Sequence, residues 1–258
     1  MLTLEEIAAQ YPAFLQSFRR AMLREYLQYK ILEIIFASKY GNKLSFLGGT
    51  ALRIIYNNSR FSEDLDFDNF GLTKEEFDEI AEIVKNGLEK NGLRVEINTV
   101  ARGAYRCNVR LPDILFTNEL SPNRDEKILI QLDTAPHNHA YAPEPKLLNK
   151  FDVVREILVT PPSILLAQKF FAATNRPRAK GRDFYDIIFL SSFCKPDYEY
   201  LQEKMGVKNA DELRTRMRET VEAWDFKALA RDVQPFLFHA EDGRRVEMFP
   251  RFMEQIDL

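Results

Sequence analysis

Residues 44–69 read LSFLGGTALRIIYNNSRFSEDLDFDN, and this stretch decides how the rest of the chain is interpreted. It begins with a short apolar run that breaks at Gly48-Gly49 and continues as a helical stretch, which predicts a strand, a glycine turn and a helix. Apolar and acidic residues then alternate in Asp64-Leu65-Asp66-Phe67, as expected for a half-buried strand. The alternation places Asp64 and Asp66 on one face of that strand.

Further strands and helices are predicted on both sides of this stretch. Helical spacing runs from Pro12 to Ile35, and Thr73-Lys74-Glu75-Glu76 is a capping box that begins a second helix. Alternation or β-branched residues predict strands at 93–100, 105–111, 127–133 and 153–159. Helical patterns follow at 163–174, 183–193, 198–205 and 210–223. The tail, with Pro235, Gly243 and Pro250, is interpreted as irregular.

The predicted fold class is therefore α+β, with a small mixed β-sheet and flanking helices followed by a helical C-terminal domain. The chain changes from β-rich to helical near residue 160. We expect two domains, 1–160 with an N-terminal helical segment and 161–258, and the length of 258 residues allows both.

Composition excludes several classes of protein. Hydrophobic residues make up 45% and charged residues 29%, as in an ordinary globular protein, and the net charge of −3 disfavours a histone-like coat on nucleic acid. Two cysteines and three histidines disfavour a disulfide framework and a closed zinc site. No apolar run approaches the ~20 residues of a membrane helix, and Glu5 and Glu6 disfavour a signal peptide. We expect a soluble, cytoplasmic protein.

Neighbouring carboxylates on one strand face indicate a cation site. Asp64 and Asp66 repel each other unless a positive charge lies between them, and hard oxygen ligands at this spacing suit Mg²⁺ or Mn²⁺ with nucleotide phosphates. Gly48 and Gly49 let backbone N–H groups approach an anion, and the helix that starts near Thr50 adds its positive end. The alternative is a solvated strand edge. Asp68 is interpreted as a solvated neighbour on the same face.

Lys169 lies in a helix that is apolar on several sides, so its amine must reach solvent, a carboxylate or a bound anion. Asp183 and Asp186 are three residues apart and share one face of the next helix. Asp183 could orient Lys169 or Arg178, or simply cap its helix.

A dense basic run follows Lys169, and it consists of Arg176, Arg178, Lys180 and Arg182. Such a run is either a solvated loop or a contact for nucleic acid. Other signatures are absent: the chain has no phosphate-binding Gly-x-x-x-x-Gly-Lys-Ser/Thr loop and no nucleophile elbow. His137-Asn138-His139 spells a nuclease signature without its surrounding pattern and is attributed to chance.

Two separated motifs together resemble the AbiEii/AbiGii-type nucleotidyltransferases. These are toxin components of bacterial abortive-infection and type IV toxin–antitoxin systems, within the DNA polymerase β-like superfamily. The resemblance covers about residues 40 to 190. It is carried by Gly48-Gly49-Thr50-Ala51-Leu52, Tyr56, Arg60-Phe61-Ser62-Glu63-Asp64-Leu65-Asp66-Phe67, Lys169 in Leu166-Ala167-Gln168-Lys169, Arg178, Lys180 and Arg182-Asp183-Phe184-Tyr185-Asp186-Ile187.

The superfamily pattern implies a third carboxylate on a neighbouring strand. Asp133, which ends the predicted strand 127–133, is the candidate for this third metal ligand. The alternative is an aspartate that caps a turn before Pro136. Gln131 stands where the family often has a lysine.

The resemblance implies a reaction in which a nucleoside monophosphate moves from an NTP to an acceptor hydroxyl and pyrophosphate is released. It implies that Asp64 and Asp66 hold two Mg²⁺ or Mn²⁺ ions and that Asp133 helps to activate the acceptor. Gly48, Gly49, Thr50 and Lys169 would bind the triphosphate, with the helical domain closing over the nucleotide and Asp183 facing the site. The acceptor would be RNA, with a tRNA end favoured, and the partner a cognate antitoxin. The alternatives are a small-molecule nucleotidyltransferase of the antibiotic-modifying type and a non-catalytic nucleotide-binding relative.

Overall fold

A computed structural model of the chain describes residues 1–136 and 139–258, so His137 and Asn138 of the His-Asn-His motif lie outside the described residues. Within the described part, a seven-stranded mixed sheet is combined with many helices, which confirms the α+β fold class. The same part of the chain contains no helix that is both long and apolar enough to cross a membrane.

The strands form one sheet in the order β3-β4-β5-β2-β1-β7-β6. β2 pairs with β1 antiparallel and with β5 parallel, so it lies near the centre of the sheet. The strands are β1 (Leu44–Leu47), β2 (Leu65–Asn69), β3 (Glu96–Arg102), β4 (Ala104–Leu111), β5 (Ile128–Pro136), β6 (Glu144–Lys150) and β7 (Val153–Val159).

Helices precede, interrupt and follow the strands. The N-terminal and inserted helices are α1 (Leu4–Ala8), α2 (Arg19–Ala37), α3 (Gly48–Tyr56), α4 (Lys74–Lys90) and α5 (Ile114–Thr117). The C-terminal helices are α6 (Pro162–Asn175), α7 (Gly181–Leu190), α8 (Tyr198–Met205), α9 (Ala210–Glu222), α10 (Phe226–Val233), α11 (Arg244–Glu247) and α12 (Phe249–Gln255).

The chain separates into two compact units. The first unit comprises residues 1–55 and 61–159, and the second comprises 56–60 and 160–258. The short segment 56–60 therefore groups with the C-terminal helices, although it lies inside the N-terminal half of the sequence. The division into domains 1–160 and 161–258 stays a prediction.

Helices cover one face of the sheet in the first unit. Phe67 on β2 contacts Phe36 on α2, with ring centroids 6.3 Å apart, and Tyr105 on β4 contacts Phe77 on α4 at 5.6 Å. Because side chains alternate between the two faces of a strand, Asp66 lies on the face that points away from these helices. The aromatic core thus sets which face carries the acidic residues.

The second unit has an aromatic core around α7. Phe184 makes edge contacts with Phe226 and Phe249, with centroids 5.0 and 4.8 Å apart, and the latter two rings stack on each other. The interpretation of the tail as irregular is therefore wrong, since α10, α11 and α12 lie there. These helices are short, and the residues on which the interpretation relied lie at or near their ends: Pro235 follows α10, Gly243 precedes α11 and Pro250 is the second residue of α12.

Candidate active site

Three aspartates lie together on the face of the first unit's sheet that points away from α2 and α4. Asp66 on β2 is the register partner of Asp133 on the parallel strand β5, so both side chains share one face. Asp64 directly precedes β2 and, like the other two, is half-buried. The strand alternation predicted the shared face of Asp64 and Asp66, and the parallel pairing adds Asp133 to it.

Gly48 lies against the Asp66 side chain at the point where β1 ends and α3 begins. Its φ of +79° is in the left-handed region, and a Cβ there would overlap Asp66 Oδ2 and lie 3.0 Å from Cγ. Glycine is therefore required for two reasons, the backbone conformation and the close approach of the carboxylate. The carboxylate of Asp66 and the N-terminus of α3 are brought together by this contact.

Thr50 holds the backbone beside the acidic residues. Its side chain is fully buried, and its hydroxyl donates a hydrogen bond to the carbonyl oxygen of Asp64. The side chain thus positions Asp64, and a phosphate contact at this residue would come from its backbone N–H. The predicted role of Gly48, Gly49 and Thr50 in triphosphate binding stays a prediction.

Asp133 is held by two side chains from β4 and β5. Arg106, its register partner on β4, donates from Nε to Oδ1 at 2.8 Å and from Nη2 to Oδ2 at 3.2 Å. Gln131 donates from Nε2 to Oδ2 at 2.7 Å. Gln131, which stands where the family often has a lysine, therefore contacts the candidate third carboxylate.

Asp68 is not a solvated neighbour, and that interpretation was wrong. Its side chain is buried, with 7% relative exposure, and its Oδ2 accepts a hydrogen bond from the hydroxyl of Tyr141 at 2.7 Å. Tyr141 comes from the segment that precedes β6, a contact that the local sequence pattern does not contain. The end of β2 at Asn69 agrees with the prediction.

The second unit contains a buried cluster of charges around Lys169. The Lys169 amine lies 3.0 Å from Asp183 Oδ1 and 2.8 Å from Asp186 Oδ2. Arg60 forms a fork on Asp186, with Nε 2.7 Å from Oδ1 and Nη2 2.6 Å from Oδ2. Arg176 lies 3.3 Å from Asp183. Of the three environments that the sequence allowed for Lys169, the structure has the carboxylates.

Mutual attraction keeps this cluster ionised. Burial opposes the charge of Asp186, but Arg60 and Lys169 outweigh it and lower the pKa of the carboxyl below its ordinary value. Burial likewise opposes the charge of Lys169, and Asp186 and Asp183 together raise the pKa of its amine. Asp183 thus contacts Lys169 rather than capping α7, and its facing a substrate stays a prediction.

The profile of the family described as "Nucleotidyl transferase AbiEii toxin, Type IV TA system" matches residues 30–256. The chain belongs to this AbiEii family. It is a nucleotidyltransferase, and the resemblance read from its motifs is confirmed. No curated protein matches the chain.

Two solved structures from Helicobacter pylori share the fold of this AbiEii-family chain. A protein assigned as a nucleotidyltransferase is 19% identical, with a TM-score of 0.59 and coverage of 92% of this chain and 95% of that one. JHP933 is also 19% identical, with a TM-score of 0.56 and coverage of 92% of both chains. At this identity, the likeness shows the fold.

The acidic face of the AbiEii-family chain fits one divalent cation. Across residues 1–136 and 139–258, no group of three or more histidine, cysteine or acidic side chains is arranged to hold a metal. Mg²⁺ in nucleotide-dependent enzymes needs only one or two carboxylates, with waters and substrate phosphates as its other ligands. Asp64 and Asp66 supply that donor set beside the Gly48 turn. Asp133 is paired with the guanidinium of Arg106, and its predicted role as a metal ligand stays a prediction.

Sequence reasoning missed Arg106, and it gave no role to Arg60 within its motif. Antiparallel pairing of the predicted strands 105–111 and 127–133 would place Arg106 near Asp133, and this was the available signal. Arg60 contacts a residue 126 positions away, and nothing in its local sequence indicates that partner.

Gly48→Ala is expected to remove most nucleotidyl transfer, because the new methyl group displaces the Asp66 carboxylate. The positive φ adds strain of about 1–3 kcal/mol. The matched control is Gly71→Ala, which has a similar φ of +76° and nothing within 4 Å of the added Cβ. Label transfer and urea unfolding would be measured for both variants. Equal loss of activity in both would mean that backbone strain alone, and not the contact with Asp66, explains the effect.

Proposed function

We propose that the chain transfers a nucleoside monophosphate from an NTP to a hydroxyl at the end of an RNA, with a tRNA end as the favoured acceptor, and that it requires Mg²⁺ or Mn²⁺. The observation that carries the proposal is the contact of Gly48 with Asp66 on the face shared with Asp64 and Asp133. This arrangement supports a phosphate-binding turn and a metal-binding carboxylate as direct neighbours.

In the proposed reaction, the acceptor oxygen forms a bond to the α-phosphorus of the NTP. The bond between that phosphorus and the bridging oxygen breaks, pyrophosphate leaves and the hydroxyl proton passes to water. The bound metal ion would supply positive charge to the phosphate oxygens in the transition state. Asp64 and Asp66 would hold it, and Asp133, fixed by Arg106, would orient the acceptor hydroxyl.

The N-terminus of α3 supports the proposed triphosphate site. This helix has nine residues, and its first N–H groups and its dipole favour an anion. Gly48 and Gly49 add no side chains that would separate the phosphate from these groups. The predicted contact of Lys169 with the triphosphate stays a prediction, since its amine already pairs with Asp183 and Asp186.

The basic run, which extends from the end of α6 to the first turn of α7, supports RNA as the acceptor. Partial burial and the neighbouring charges of Arg182 and Arg176 lower the pKa of Lys180, so these cations lie close enough to repel one another. Arg176 is partly compensated by Asp183, whereas Arg178 is exposed. A cluster of like charges is favourable when an anion binds to it, and the phosphates of single-stranded RNA are such anions.

Changing Arg178, Lys180 and Arg182 together to Gln is expected to reduce transfer to RNA and to flatten the dependence of RNA affinity on salt. Each lost phosphate contact lowers the salt slope by roughly 0.7 for single strands. The control changes Lys208, Arg216 and Arg218, which gives the same change in net charge elsewhere in the second unit. RNA binding would be measured by filter retention at several salt concentrations. An unchanged slope in the first variant, or label accepted only by a small molecule, would contradict RNA as the acceptor.

We also propose a cognate antitoxin as a partner, because the matched family is described as part of a type IV toxin–antitoxin system. Co-expression with the cognate antitoxin should relieve the growth defect that the active chain causes. The Asp66→Asn variant should cause no growth defect, and a defect that persists in this variant would separate toxicity from nucleotidyl transfer.

A further inference from the structure

Arg106 places a positive charge directly beside Asp133 on the acidic face of the sheet. Its guanidinium binds both oxygens of Asp133, and the strands' pairing makes the two residues direct partners. The geometry is a fork on a carboxylate, which matches the planar guanidinium better than an ammonium group would. The ion pair is therefore fixed by the sheet and not by a flexible loop.

The same guanidinium acts on the other two carboxylates. Asp133 contributes most to raising the pKa of Arg106, by hydrogen bonding and by its charge, and the charges of Asp64 and Asp66 add to this effect. A single arginine thus offsets part of the repulsion among three acidic side chains. The neighbouring carboxylates of Asp64 and Asp66 require a positive charge nearby, and Arg106 supplies part of it.

We infer that Arg106 replaces one of the two metal ions expected of this site, so that the chain works with a single divalent cation held by Asp64 and Asp66. The inference rests on the proposed function. A second ion at Asp133 would have to displace both Arg106 and Gln131 and would then lie next to a permanent positive charge. The arginine places one positive charge there without a second metal ion being bound.

Arg106 also has donors left for substrate. A guanidinium carries five N–H groups, and Asp133 accepts hydrogen bonds from two of them, one on Nε and one on Nη2. The side chain is 53% exposed, so the remaining N–H groups are open to a phosphate oxygen of the nucleotide. Arg106 would stabilise the negative charge on the α-phosphate in the transition state, a task usually given to a second metal ion.

The test counts Mn²⁺ bound per chain by equilibrium dialysis against α,β-methylene NTP analogues, which do not react. We expect about one ion for the wild type and about two for Arg106→Gln, because Asp133 is then released. Arg110→Gln is the matched control, since Arg110 lies on the same strand and face but pairs with Leu129, and it should bind about one ion.

Asp133→Asn gives a second readout that does not depend on the arginine variant. If Asp133 is not a metal ligand, this change leaves both the number of ions and their affinity as in the wild type. Two ions on the wild type, with one lost in Asp133→Asn, would overturn the inference and leave the proposed function standing. No bound Mn²⁺ on the wild type would overturn both.

Discussion

Asp66→Asn is expected to reduce nucleotidyl transfer by about a thousandfold or more while the chain stays folded. The carboxylate is the donor that lies against the Gly48 turn, and an amide is a much weaker ligand for Mg²⁺. Metal-ion stabilisation of a transition state is worth several kcal/mol, and each ~1.4 kcal/mol corresponds to a tenfold change in rate. Rates of label transfer and thermal unfolding curves would be measured on the same preparations.

Asp68→Asn is the control for this variant. Asp68 lies two residues further along β2, on the same face, and its Oδ2 accepts a hydrogen bond that an amide oxygen can also accept. The Asp68→Asn variant should keep most of the nucleotidyl-transfer activity. Asp66→Asn should melt at the wild-type temperature or slightly above it, because one repelling charge is removed. A marked drop in its melting temperature would instead indicate that Asp66 is a structural residue.

Asp186→Ala is expected to lower the free energy of unfolding by about 3–5 kcal/mol, the usual cost of removing one partner from a buried ion pair. Arg60 and Asp186 have side-chain exposures of 1% and 0%, so the arginine would lose its carboxylate without gaining water. Lys169 would keep its ion pair with Asp183. Urea unfolding followed by the fluorescence of Trp224, the sole tryptophan, reports on the second unit directly.

Asp211→Ala provides the matched control in the same unit. Its side chain is 96% exposed and pairs with Arg214 on the surface of α9, where ion pairs contribute little. Its unfolding curve should coincide with that of the wild type. An Asp186→Ala curve that also coincides would show that the cluster around Lys169 does not stabilise the second unit.

Local patterns predicted most of the first unit's sheet, because the sequence of each predicted strand shows hydrophobic alternation or is rich in β-branched residues. Strands β1 and β7 begin and end where the sequence indicates, and the capping box at Thr73 begins α4. Strand β6 was missed. It contains Pro145 and two lysines, a composition that is more typical of a loop. An edge strand tolerates these residues, and β6 lies at the edge of the sheet.

In the candidate site, too, residues placed by one local pattern were predicted, whereas residues placed by contacts between distant segments were not. Asp64 and Asp66 were found because one strand carries both, whereas Arg106 depends on the register between two strands. Asp186 depends on Arg60, which lies more than a hundred residues away. Periodicity within a segment reports which face a residue occupies. It does not report which segment will cover that face, so contacts between distant segments required the structure.

The most direct test of the account follows the label from an NTP into RNA. The wild-type chain is incubated with Mg²⁺, total RNA and each NTP in turn, labelled on either the α- or the γ-phosphate. We expect label from the α-phosphate to enter RNA, label from the γ-phosphate to leave with pyrophosphate, and neither to enter RNA with Asp66→Asn. Transfer of the γ-label to RNA, or α-label found only on a protein or a small molecule, would contradict nucleotidyl transfer to RNA.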